Sequence, residues 1–154
     1  MRTLVLFRHS KTEPHRSDDH SRRLTGRGRD DAAEVRRWLS KQDIVPDRVV
    51  VSTSARARET WELASVGHAL PEYDDRVYEA TVTDLREVVE ETSPDVATLV
   101  VVGHNPSIEQ LAWALDETDE ARERTDRGMR TSGIAVFELT DWTDLHGRLL
   151  AFDA

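Results

Sequence analysis

The sequence contains no cysteine among its 154 residues. Disulfide bonds, thiolate metal sites and a cysteine nucleophile are therefore excluded. The sequence also lacks any apolar run that approaches the roughly 20 residues needed for a membrane-spanning helix. The apolar stretch near the N-terminus, Leu4–Phe7, is too short for the core of a signal peptide. These features predict a cytoplasmic protein that is not associated with a membrane.

Basic charge is scarce, because 21 Lys and Arg residues face 30 Asp and Glu residues and leave a net charge of −9. This balance argues against general binding of nucleic acids or anionic membranes. A phosphate group could bind only where a few cations are concentrated. Apolar residues make up 38% of the sequence, which suits one domain over residues 1–154 with a single core.

Five segments are predicted to be β-strands, and three of them contain continuous apolar runs. Runs without polar alternation are typical of parallel strands that are buried on both faces. The predicted strands are Thr3–Phe7, Arg48–Ser52, Thr98–Val102, Gly133–Leu139 and Arg148–Phe152.

Four amphipathic helices fit between these strands. The predicted N-caps are Thr25, Ser54, Asp84 and Asn105. Pro106 would then occupy the first position of the fourth helix, where proline is well tolerated. This order of elements predicts an α/β fold, a three-layer α/β/α sandwich with a mostly parallel central sheet. The polar segments His15–Arg23 and Asp116–Arg130 are interpreted as irregular, either as loops over a site or as solvated surface.

The residues that follow the three apolar strands share one chemical character. Ligands of open α/β sheets bind beyond the carboxyl ends of the parallel strands. Arg8 and His9 follow the first run, Arg56 lies shortly after the second, and His104 lies shortly after the third. Arginine matches phosphate oxygens with a planar fork of donors, and a neutral imidazole is a competent nucleophile. We therefore predict a phosphate pocket, in which the arginines lower the pKa of His9 and keep it neutral.

Four sequence blocks resemble the histidine phosphatase (phosphoglycerate-mutase-like) superfamily. In chain order they are Arg8-His9-Ser10, Leu24-Thr25-Gly26-Arg27-Gly28, Ser52–Thr60 and Val102-Gly103-His104-Asn105-Pro106. The short chain, the order of the blocks and the late Thr131-Ser132-Gly133 are most similar to the SixA type, the protein phosphohistidine phosphatases. The resemblance implies a phosphoglycerate-mutase-like fold. No metal or other cofactor is predicted, because no carboxylate or third histidine has metal-like spacing with His9 and His104, and the adjacent arginines would repel a cation.

The resemblance also implies roles for individual residues. His9 would be the nucleophile that becomes phosphorylated, and Arg8, Arg56 and His104 would complete the phosphate pocket. The family usually adds a carboxylate general acid between the second arginine and the second histidine, and Glu79 is the best-placed candidate. Short SixA-type members need not have this acid. Ser10 stands where the family has glycine, and its hydroxyl could contribute to substrate binding.

Three functions remain open from the sequence. The first hypothesis is a phosphohistidine phosphatase that acts on a phosphorylated protein, for example in signal transduction. The alternative is a phosphomonoesterase that uses the same pocket for a small phosphorylated metabolite. A non-catalytic phospho-ligand binding module is the third, although the presence of both His9 and His104 counts against it. The remaining histidines, His15, His20, His68 and His146, show no functional context.

Overall fold

A computed structural model describes residues 1–14, 18–116, 118, 123 and 129–153. Six strands lie within these residues: β1 (Arg2–Arg8), β2 (Arg48–Ser52), β3 (Pro71–Asp74), β4 (Thr98–Gly103), β5 (Ile134–Leu139) and β6 (Gly147–Asp153). The helices are α1 (Gly26–Lys41), α2 (Ala55–Ala64), α3 (Val82–Glu90) and α4 (Ser107–Leu115), with a short 3-10 helix at Asp75–Val77. Most of the predicted irregular segment at 116–130, and residues 15–17 of the other, lie outside the described residues.

The strands form one mixed sheet in the order β3-β2-β4-β1-β5-β6. β3, β2, β4 and β1 are mutually parallel, whereas β5 runs antiparallel to β1 and β6 runs antiparallel to β5. The carboxyl ends of the four parallel strands therefore meet at one edge. The predicted α/β fold with a mostly parallel sheet is confirmed, with an antiparallel pair at one side.

Two apolar clusters cover the opposite faces of this sheet. Side chains of a strand alternate between faces, so Val5 and Phe7 of β1 pack in the cluster that contains the buried sides of α1 and α2. Leu4 and Leu6 pack in the other cluster, with α3 and α4. All four side chains are fully buried. Burial on both faces explains the apolar run and produces the three predicted layers.

The strand β3 was not predicted from the sequence. It is only four residues long, its sequence is Pro-Glu-Tyr-Asp, and Glu72 and Tyr73 are exposed. It lies at the edge of the sheet beside β2, where one side of the strand has no partner. A short edge strand of this kind carries no continuous apolar run.

Two of the four predicted helix caps are confirmed, since Thr25 accepts a hydrogen bond from the Gly28 amide and Ser54 accepts one from Ala57. The predicted cap Asp84 is wrong, because Thr81 caps α3. Asp84 is the third residue of that helix, and its carboxylate accepts a hydrogen bond from the Thr81 amide. The two residues form a capping box, in which each side chain accepts a hydrogen bond from the backbone amide of the other residue.

The predicted cap Asn105 is also wrong. The helix α4 begins at Ser107, its N-cap is Pro106, and no side chain caps it. The side-chain amide of Asn105 instead donates to the Glu109 carboxylate and to the Met129 carbonyl. Asn105 thus connects the start of α4 to the segment before β5.

No helix in the described parts of the chain is long and apolar enough to cross a bilayer.

Candidate active site

The parallel pairing of β1 with β4 brings the two candidate histidines together. Arg8 pairs with Gly103 at the end of these strands, and the His9 amide donates to the Gly103 carbonyl at 3.0 Å. The rings of His9 and His104 follow directly, with their centroids 5.1 Å apart. Two residues separated by 95 positions in the sequence therefore lie side by side, as predicted.

The His9 ring is oriented by the backbone next to it. Its Nδ1 lies 2.8 Å from the Ser10 carbonyl oxygen. Because a carbonyl can only accept, Nδ1 carries the proton and Nε2 keeps its lone pair. This is the tautomer that a nucleophilic imidazole requires.

The pKa of His9 is lowered to about 4, so the ring is neutral at pH 7. Burial is the largest cause, since only 7% of the residue is exposed. The charges of Arg56, Arg8 and Arg22 lower the pKa further. The predicted effect of the arginines is present, but it is secondary to burial.

His104 is held by the loop that follows β2. Its Nε2 lies 2.8 Å from the Ser52 hydroxyl, and burial, together with the neighbouring His9 and Arg56, lowers its pKa to about 3. The Nδ1 atom of His104 is buried without a hydrogen-bond partner among the described residues. Donation of the Ser52 proton to Nε2 at 2.8 Å, in place of its longer 3.4 Å contact with the Ser54 hydroxyl, leaves the ring proton on Nδ1, which can then donate to a ligand oxygen.

The charges of three arginines act on His9. Arg8 donates to the Met129 carbonyl at 2.7 Å, and Arg56, at the start of α2, is only 6% exposed. Arg22 was not singled out from the sequence, yet its charge also acts on His9. The Nε atoms of all three arginines are buried without a partner in the described part of the chain. Buried donors of this kind are costly unless a ligand satisfies them, which indicates an anion site.

Asp19 connects two of these arginines. Its carboxylate accepts hydrogen bonds from Arg56 at 3.1 Å and from the Tyr78 hydroxyl at 2.6 Å, and it forms an ion pair with Arg22 at 3.1 Å. The pKa of Asp19 is lowered to about 2, chiefly by the Tyr78 hydrogen bond. Asp19 thus links Arg56, Arg22 and Tyr78, and its carboxylate offsets part of the positive charge around His9, as the charge of Glu109 does for Arg8.

The aromatic rim of the pocket was also missed. The Tyr78 ring lies edge-on to His104 with a centroid distance of 5.7 Å, and His20 lies edge-on to Tyr78 at 4.8 Å. His20, which showed no functional context in the sequence, therefore borders the site. Asp19, His20 and Arg22 come from a polar segment without periodicity. The clustering of charge in that segment was the only feature of the sequence that could have indicated their place at the site.

The two remaining candidates lie in different surroundings. Ser10 is buried, its amide donates to the Thr60 hydroxyl at 3.0 Å, and its own hydroxyl forms a short hydrogen bond with that of Ser132. Glu79 is exposed, directly after Tyr78, with a left-handed backbone φ of 53°. Its side chain makes no hydrogen bond with a described residue, so its role as general acid stays a prediction.

Comparisons with known proteins identify the family of the chain. Residues 4–95 match the family model of the histidine phosphatase superfamily (branch 1). The uncharacterized protein Rv1276c of Mycobacterium tuberculosis is 37% identical over 146 residues, which cover 90% of this chain and 91% of that protein.

Two solved structures share the fold over nearly the whole chain. The putative phosphohistidine phosphatase SixA from Nakamurella multipartitia is 30% identical, with a TM-score of 0.88, and the match covers 99% of this chain and 95% of that one. The putative phosphohistidine phosphatase SixA from Agrobacterium tumefaciens is 27% identical, with a TM-score of 0.87 and coverage of 99% and 97%. The chain belongs to branch 1 of the histidine phosphatase superfamily.

Proposed function

We propose that this phosphatase hydrolyses phosphohistidine in a protein substrate, with His9 as the nucleophile. The observation that carries the proposal is the pairing of a neutral, correctly oriented His9 with His104, within reach of the charges of three arginines. The buried Nε donors of these arginines, which have no partner among the described residues, support a phosphoryl group as the ligand.

In the first step, Nε2 of His9 attacks phosphorus and the bond from phosphorus to the substrate imidazole breaks. The substrate ring, protonated on its other nitrogen, leaves as neutral imidazole. The guanidinium groups of Arg8 and Arg56 and a proton on Nδ1 of His104 stabilise the charge on the equatorial oxygens. The Ser10 carbonyl, which accepts from Nδ1 of His9, stabilises the positive charge that the phosphorylated ring acquires.

In the second step, water attacks the phosphorus of phospho-His9. The N–P bond breaks, inorganic phosphate leaves, and the ring of His9 becomes neutral again. Glu79 is our candidate for assisting this water, because it follows Tyr78 at the rim of the pocket. Ser10 supports the loop through its hydrogen bonds with Ser132 and Thr60, and in this mechanism its hydroxyl does not bind the substrate.

The surroundings of Glu79 favour phosphohistidine over a phosphate ester. An alkoxide leaving group needs a proton from a positioned acid, which is worth roughly 10²–10⁴-fold in rate. Glu79 is exposed and is not held by any described residue. A phosphoramidate can be protonated on its leaving imidazole by solvent, so it depends less on such an acid.

We further propose that the enzyme acts in the cytoplasm, in signalling, as a single domain over residues 1–154 and without a metal ion.

The test uses a histidine-phosphorylated peptide and para-nitrophenyl phosphate, each with and without EDTA. We expect phosphate release from the peptide, unaffected by EDTA, and an acid-labile phosphoryl group on His9. The His9→Ala variant should bind inorganic phosphate but lose at least about 10⁴-fold in kcat/KM, because it lacks the nucleophile. The exposed His146 provides the matched control, since His146→Ala should match the wild type.

Each other outcome contradicts a specific part of the proposal. A preference for para-nitrophenyl phosphate would favour the phosphomonoesterase. No turnover of either substrate would indicate a binding module. Loss of turnover with EDTA would contradict the metal-free mechanism, and activity of His9→Ala near that of wild type would contradict the nucleophile.

A further inference from the structure

A second feature lies beside the phosphate pocket, where a groove of about 870 Å³ runs along α1. Its lining includes the apolar side chains of Val35 and Trp38, and the carboxylates among the described residues that line it are Asp31 and Glu34. The basic residues that line it are Arg8, Lys11, Arg27, Arg37, Lys41 and Arg130.

The charge of this groove is opposite to that of the whole chain. Six cationic side chains face two carboxylates here, although the chain carries a net charge of −9. Glu34 is paired with Arg37, and Asp31 lies 3.9 Å from Arg27, so the acidic groups are already neutralised. The excess of positive charge therefore attracts an anionic ligand.

The groove lies beside His9. Arg8 and Ser132 line the groove, and the Ser132 amide donates to the His9 carbonyl at 3.0 Å. Gly28 lets the start of α1 approach the segment after β1, because a side chain there would clash with the Lys11 carbonyl. A ligand in the groove would thus reach the neighbourhood of the phosphoryl site.

The length of the groove distinguishes among anionic ligands. Arg27 and Lys41 are 14 residues apart on one helix, which corresponds to about 21 Å at 1.5 Å per residue. This distance exceeds the size of a small phosphorylated metabolite, but it accommodates roughly six residues of extended polypeptide. The apolar lining at Val35 and Trp38 suits a polypeptide better than a purely ionic ligand.

We propose that this groove binds an acidic segment that adjoins the phosphorylated histidine of the protein substrate. The inference rests on the proposed function. It adds that the protein substrate is negatively charged next to its phosphohistidine. The phosphate pocket supplies the chemistry, which is the same for every phosphohistidine. The groove along α1 supplies the preference among phosphorylated proteins.

The test compares two histidine-phosphorylated peptides of equal length, one with Asp and Glu flanking the histidine and one with Asn and Gln. The matched variants are Arg37→Glu, inside the groove, and Arg36→Glu, its exposed neighbour outside it. We expect wild type and Arg36→Glu to favour the acidic peptide through a lower KM. Arg37→Glu should raise that KM roughly three- to tenfold, as expected for reversing one rim charge, and leave the neutral peptide unaffected.

A binding measurement separates this proposal from the proposed function. Fluorescence anisotropy of labelled, unphosphorylated acidic and neutral peptides reports the groove without any turnover. Equal affinity for the two peptides, or equal effects of Arg36→Glu and Arg37→Glu, would overturn the docking proposal. A further outcome is that the enzyme dephosphorylates neither peptide while Arg37→Glu still weakens binding of the acidic peptide. That result would overturn the proposed function but leave the docking proposal intact.

Discussion

The parallel and antiparallel parts of the sheet contribute to the pocket in different ways. The parallel strands β1 and β4 end at the pocket and are followed by His9 and His104, and Arg56 comes from the helix after β2. The antiparallel strand β5 begins at the same edge, so its contributions precede it: the hydroxyl of Ser132 and the carbonyl of Met129. The parallel part supplies the candidate nucleophile and the charged groups near it, whereas the segment before β5 supplies hydrogen bonds to Ser10 and Arg8.

This comparison predicts a large effect for Arg56, which comes from the parallel part. Arg56→Ala should lower kcat/KM for a phosphohistidine peptide by about 10²–10³-fold, as for the loss of one preorganised donor to a transition-state oxyanion. Arg56→Lys should recover only part of this, because lysine keeps the charge but loses the planar fork that donates to both the carbonyl and the carboxylate of Asp19. Steady-state kinetics measure both variants. An activity of Arg56→Ala within threefold of wild type would show that the pocket does not depend on Arg56.

The two buried histidines should make stability depend on pH. Their folded pKa values of about 4 and 3 lie below the unfolded value of roughly 6.5. In this pH range the unfolded chain therefore binds protons that the folded chain does not bind. The free energy of unfolding should fall as pH drops from about 6.5 towards 4. Each histidine contributes up to about 1.4 kcal/mol per pH unit.

Urea unfolding at pH 7 and pH 5 measures this dependence. His104→Gln should remove its share of the pH effect, because glutamine does not titrate. The exposed His146 serves as the control, since His146→Gln should leave the difference between the two pH values unchanged. A wild-type stability equal at pH 7 and pH 5 would contradict the burial of neutral rings at His9 and His104.

The sequence predicted the parts of the fold and site that depend on local pattern. The three apolar runs predicted the buried parallel strands, and the residues after them predicted the meeting of His9 and His104, because parallel strands end at one edge. The edge strand β3 was missed because half-exposed residues leave no apolar run. Tyr78, which lies shortly after β3, was missed with it.

The other unpredicted residues reach the pocket through tertiary contacts alone. Asp19 and Arg22 precede α1 in an irregular segment, and no spacing rule relates them to Arg56 on α2. Their ion pairs with one another and with Arg56 follow from how that segment crosses the edge of the sheet. Composition showed only that the segment is charged.

The smallest effect is expected in the segment before β5, at Ser132. Its hydroxyl bonds to that of Ser10, which does not contact the phosphoryl group in our mechanism, so Ser132→Ala should lower kcat/KM only about two- to threefold, as for one neutral hydrogen bond. Ser132 has a left-handed φ of 63°, which glycine adopts without the strain of a side chain. Ser132→Gly should therefore match Ser132→Ala in activity but exceed it in stability by roughly 1 kcal/mol, measured by urea unfolding. A loss of activity as large as that of Arg56→Ala would mean that Ser132 contacts the substrate. The segment before β5 would then bind substrate itself instead of only supporting residues from the parallel part of the sheet.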